Sequence, residues 1–201
     1  MKILLTGFDP FGEDIINPSY EAIKRIKDFN DIDIIKCELP TVRYESVERI
    51  KDIIEKEKDI DYIISFGQAG GRKAISLERV AINCDDYRIQ DNRGNQPKDE
   101  KIIEDGPDAY FSNLPLRKIE KALNDKNIKV EISNSAGTFV CNHIFYSIRY
   151  LCETKYPYIK SGFIHVPYIE TQIKDEATPY MKLDDIILAI ETIIEVIKES
   201  G

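Results

Sequence analysis

Four cysteines and two histidines are the side chains of this sequence best suited to nucleophilic chemistry. A thiolate attacks acyl carbon, and an imidazole takes up and returns the proton. Cys37, Cys84, Cys141 and Cys152 lie far apart with no CxxC spacing, which argues against zinc and against a disulfide framework. Cys141 is distinguished by position. It follows Ser133, Asn134, Ser135, Ala136 and Gly137, which close a predicted strand. It then falls in the first turn of a predicted helix beginning near Thr138. Unpaired N–H groups and the helix dipole favour a thiolate there. The competing reading is an inert core cysteine, since free cysteine is among the most buried residue types.

A cysteine hydrolase needs a base, and the sequence offers His143 or His165. His143 lies two residues from Cys141 on the same predicted helix. Successive residues turn by about 100°, so the two side chains diverge and His143 reads as structural. His165 stands near the end of a predicted strand, 162–166, just before Pro167. Sites in open α/β sheets gather at the carboxyl ends of strands, and Cys141 also follows such an end, so the two can meet. A third group should orient the imidazole. The residues alone leave that group open among many carboxylates.

These residues must be held by a scaffold. Residues 2–6, 33–39, 62–66, 79–83, 128–133 and 162–166 read as strands. Asn17 and Pro18 form a helix start, with Asn as the cap and Pro at the first helical position. Further helices are marked by Val47, Ile50 and Ile54, by Leu116, Ile119 and Leu123, by Val140, Ile144, Ile148 and Leu151, and by the isoleucines from Ile186 to Ile197. Alternating strands and helices imply an α/β fold, a three-layer α/β/α sandwich around a mainly parallel, mixed sheet. One domain over 1–201 is expected. Residues 84–108 make a polar excursion that reads as a substrate loop. The glycine-rich run 67–72 lacks both the P-loop ending and the dinucleotide fingerprint, so it reads as a tight turn lining a pocket.

Net charge is -8 and no basic stripe is present, which argues against a nucleic-acid partner. No apolar run approaches a membrane span, and no export signal is visible after Met1. The expectation is a cytoplasmic protein.

Four blocks together resemble the pyroglutamyl peptidase I family of cysteine peptidases. The first is Thr6, Gly7, Phe8, Asp9, Pro10, Phe11 and Gly12 with Asn17 and Pro18. The second runs from Gly67-Gln68-Ala69-Gly70-Gly71-Arg72 to Glu78-Arg79-Val80-Ala81-Ile82-Asn83. The third is 133–142, containing Cys141, and the fourth is 162–168, containing His165. They occur in family order across nearly the whole chain. The resemblance implies a triad of Cys141, His165 and Glu78, and a substrate pocket near Phe8, Phe11, Asn17, Gln68, Phe139 and Val140. It implies oxyanion stabilisation near Arg88 with the Cys141 amide, no metal or other cofactor, a pyroglutamyl peptide substrate and a homotetramer. The C-terminal portion after Tyr168 is the least family-like stretch. Two rival functions share parts of this pattern: an amidase acting on another small amide, and a non-catalytic binding protein on the same scaffold.

Overall fold

The computed structural model describes residues 1–200. Its centre is built from three strands whose sequences are buried almost throughout: β1 (Lys2–Phe8), β3 (Tyr62–Gln68) and β8 (Lys160–Val166). Continuous burial of this kind marks strands covered on both faces. With β2 (Asp33–Leu39), β4 (Ile75–Glu78) and β7 (Val130–Ser133) they form a six-stranded sheet, ordered β2-β1-β3-β8-β4-β7. The first four in that order are parallel. β4 pairs antiparallel with β8 and parallel with β7, so β4 and β7 run against the rest.

Helices cover both faces. The core on one face takes residues of α1 (Pro18–Arg25), α3 (Leu116–Asp125) and α5 (Leu183–Lys198). The core on the other takes residues of α2 (Arg43–Lys56) and α4 (Val140–Thr154). The expected three-layer α/β arrangement is therefore present. Asn17 caps α1, accepting from the Ser19 amide, and Pro18 is the first helical residue. Gly7 lets β1 approach that helix: a Cβ there would lie 2.7 Å from Tyr20 backbone atoms.

One expectation changes. The predicted strand 79–83 is β5 (Val80–Ile82), which pairs only with β6 (Ala109–Phe111) in a separate two-stranded sheet. The strand of that region in the six-stranded sheet is β4, just before it. The excursion 84–108, expected as a substrate loop, is an ordered segment. Asp85, Tyr87 and Asp91 are buried within it, and its backbone is tied by Asp85 to Glu100 and by Asp86 to Thr138. Among the described residues, no helix is long and apolar enough to cross a membrane.

Candidate active site

The carboxyl ends of three neighbouring parallel strands deliver Phe8 from β1, Gln68 from β3 and His165 from β8. The antiparallel neighbour supplies the carboxylate. His165 sits opposite Ser76 on β4. Glu78, two residues further, shares the face of Ser76 and lies diagonally within reach. Its Oε1 is 2.8 Å from His165 Nδ1. A carboxylate there makes Nδ1 the donor and leaves Nε2 for proton transfer.

Both groups are buried, and the consequences differ. Burial acts to raise the Glu78 pKa, but His165, Ser133 and Arg72 outweigh it and hold the carboxyl below its ordinary value. Burial lowers the His165 pKa, and Glu78 only partly opposes this.

Cys141 is the second residue of α4. Its sulfur rests against Gly67 of β3, where a Cβ would come within 2.8 Å of Sγ and 2.8 Å of Phe163 Cζ. Gly67 is the cross-strand partner of His165. Adjacent strands are about 4.8 Å apart, so the missing side chain puts the thiol beside the imidazole. Burial pushes the Cys141 pKa up to about 12, with the Glu78 charge adding and Arg72 opposing. The sequence argument from the helix start favoured a thiolate, and burial acts against it.

Cys141 and His165 line one small cavity of about 110 Å³. Phe8, Phe11 and Phe139 wall it, and Asn17 and Gln68 add polar groups. Asn17 Nδ2 donates to Asp9 O at 3.0 Å, and Gln68 Nε2 donates to Asp14 Oδ2 at 2.7 Å. Each amide uses one N–H in this way and keeps a second. A larger cavity, about 470 Å³, lies at the opposite ends of these strands near Met1, Asp61 and Lys160 and is lined by no cysteine or histidine.

A sequence model described as pyroglutamyl peptidase matches residues 1–200. The chain belongs to the pyroglutamyl peptidase family. The chain is 55% identical over 198 residues to a pyrrolidone-carboxylate peptidase of Fusobacterium nucleatum, covering 98% of this chain and 92% of that one. One from Brachyspira hyodysenteriae is 53% identical, with 97% and 98% covered. Among solved structures, the Bacillus amyloliquefaciens pyroglutamyl peptidase I superposes with a TM-score of 0.91 at 43% identity, covering 96% and 94%. A mutant pyrrolidone carboxyl peptidase from P. furiosus reaches 0.94 at 41% identity, covering 99% of each chain. The pyroglutamyl peptidase family consists of cysteine-type peptidases, hydrolases that remove N-terminal pyroglutamate.

Within this pyroglutamyl peptidase fold, two expected site residues stand apart from the small cavity. The Val140 side chain is packed in the core behind it, because the first turn of α4 turns that position inward. Arg88 is exposed and lines an adjoining cavity of about 360 Å³ with Asp86, Ile89 and Tyr168. The two cavities share Phe11, Gln68 and Phe139 as walls. His143 is structural, as its helical position implied: Nδ1 is 2.7 Å from Asp85 Oδ2, which also receives Arg43 Nε at 2.7 Å. Sequence reasoning missed Thr41 and Ala136, which complete the cavity wall. It gave no separate role to Arg72, whose Nη1 is 2.6 Å from Glu78 Oε1. A lone arginine after two glycines carries no signal of which carboxylate it will meet.

Proposed function

We propose that this chain releases an N-terminal pyroglutamyl residue from peptides through a thioester on Cys141. The cavity supports this reading: at about 110 Å³ it suits one small ring and is far below a drug-sized site. The thiol and the carboxylate-anchored imidazole line it. His165 Nε2 takes the Cys141 proton as sulfur attacks the pyroglutamyl carbonyl. The imidazolium then protonates the leaving amine, and neutral His165 afterwards activates water to hydrolyse the thioester. Glu78 fixes the imidazole tautomer and stabilises its charged form. The Cys141 amide, one of the α4 N–H groups without an intrahelical partner, stabilises the oxyanion, with Arg88 approaching from the adjoining cavity. No step calls for a metal.

Pyroglutamate presents a flat lactam with no free amine. The phenylalanines hold its faces, and the spare N–H groups of Asn17 and Gln68 suit its ring carbonyl. Proline has the ring and lacks that carbonyl, leaving the donors unpaired. Sites built on such hydrogen bonds discriminate by about 10⁴–10⁵. The reading also includes one catalytic domain, assembly as a homotetramer, and a cytoplasmic setting in which all four free cysteines stay reduced.

The test is hydrolysis of a pyroglutamyl chromogenic amide, with and without a thiol-alkylating agent, using Cys141→Ala as control. The expected result is turnover abolished by both treatments. Absence of turnover by reduced, folded protein would return the choice to a different small amide or a binding role. Turnover of another small amide that Cys141→Ala abolishes separates those two.

A further inference from the structure

Glu78 is fully buried, yet Oε1 accepts from two groups at once: His165 Nδ1 at 2.8 Å and Arg72 Nη1 at 2.6 Å. Its other oxygen, Oε2, has no hydrogen-bond partner. The guanidinium does not stop at the carboxylate. Its Nη2 donates to the carbonyl of Ser135 at 3.2 Å. Ser135 lies in the segment between β7 and α4 that delivers Cys141. One planar fork therefore joins the acid on β4 to the connection carrying the nucleophile.

We propose that Arg72 is a positioning residue of the catalytic machinery: it holds the Glu78 carboxylate against His165 and locks that dyad to the Cys141 connection through Ser135. This rests on the peptidase reading above. The physical need is clear. A buried carboxylate with one charged partner removed is strongly disfavoured, and it relaxes by taking up a proton or turning away. Arginine suits this task because its fork reaches two acceptors in fixed geometry, which lysine cannot do.

The arrangement also sets the sign of a pH effect. The groups facing His165 are Glu78 from β4, Cys141 from α4 and Arg72 from the β3–β4 connection. Glu131 of β7 is bonded to Ser76, the cross-strand partner of His165. The Arg72 charge disfavours imidazolium. Without it, His165 keeps its proton to higher pH, and the carboxylate–imidazole dyad titrates as a unit.

The experiment is the pH profile of kcat/KM for Arg72→Gln and Arg72→Lys on a pyroglutamyl chromogenic amide. Arg72→Gln should lose roughly 10- to 100-fold, the size of one charged hydrogen bond, with its acid limb displaced to higher pH. Arg72→Lys should keep the wild-type limb, because the charge remains, and still lose turnover, because the fork does not. An Arg72→Gln limb at the wild-type position overturns the proposal, whatever the rate. If Arg72→Gln does not fold, wild-type kcat in Arg72→Lys overturns it instead. Wild-type protein inactive on this substrate would count against the peptidase reading rather than against Arg72. The pH dependence of Cys141 alkylation would then serve as readout, with Arg72→Gln expected to shift it and an unchanged profile overturning the proposal.

Discussion

The molecule contains two buried histidine–carboxylate pairs of nearly the same geometry. His165 meets Glu78 at 2.8 Å, and His143 meets Asp85 at 2.7 Å. Relative exposure is 4% for His165 and 2% for His143, so burial does not distinguish them. Each carboxylate also takes an arginine, Arg72 in one case and Arg43 in the other. What differs is the far side of the ring. His165 faces a cavity that also holds a thiol, whereas His143 meets the edge-on ring of Tyr44. The dyad is a stable way to bury a histidine; it becomes a reaction site only where the second nitrogen has a nucleophile and an open volume beside it.

The largest expected effect breaks the comparison at the nucleophile. Cys141→Ala should lower kcat by about 10⁶, as loss of a nucleophile does in a coupled triad. Residual turnover above that level in purified variant would place the nucleophile elsewhere. Glu78→Gln keeps the shape and removes the charge, and a loss of roughly 10⁴ is expected, since the wrong tautomer is then favoured. Asp85→Asn in the second pair, assayed in parallel, should leave the reaction far less affected.

Burial of the thiol yields a pH test. The Cys141 pKa is pushed up to about 12, so the thiolate fraction should grow about tenfold per pH unit across the alkaline range. Alkylation of the free protein should therefore keep accelerating well above pH 9. A plateau near neutral pH would show a preformed ion pair with His165 instead.

Gly67→Ala sharpens the comparison by crowding the sulfur and the Phe163 ring beside it. The added methyl would come within 2.8 Å of Sγ and of Phe163 Cζ. A displacement of about 1 Å costs roughly 10² in rate, and kcat should fall by that order. Wild-type turnover would mean that the sulfur position has slack. The smallest catalytic effect is expected at the other pair. His143→Asn should change kcat/KM only severalfold, yet destabilise the fold by about 1–3 kcal/mol because Asp85 loses a buried partner. Urea denaturation of the two proteins measures that difference, and a large loss of activity without loss of stability would falsify the structural role.

Much of the site was legible along the chain because its signals are local. The Asn17 cap, the position of Cys141 in the first turn of a helix and His165 near the end of a strand all follow from neighbouring residues. Helical spacing likewise separated His143 from Cys141. The route by which Cys141 and His165 meet was not legible. β7 runs against β8, so its carboxyl end does not point to the carboxyl end of β8. The segment 134–139 carries the chain from there to the cavity, where Gly67 admits the sulfur.

The sequence by itself determined the alternation of strands and helices, the buried central strands and the residue types able to attack an acyl group. These depend on periodicity and side-chain chemistry over a few residues. Only the tertiary structure decided that the Glu78 carboxylate reaches His165 from an antiparallel strand, that Arg72 binds the same oxygen, and that burial pushes the Cys141 pKa up. Those outcomes depend on the antiparallel register of β4 and on desolvation, and both are set by segments distant in sequence packing around one another.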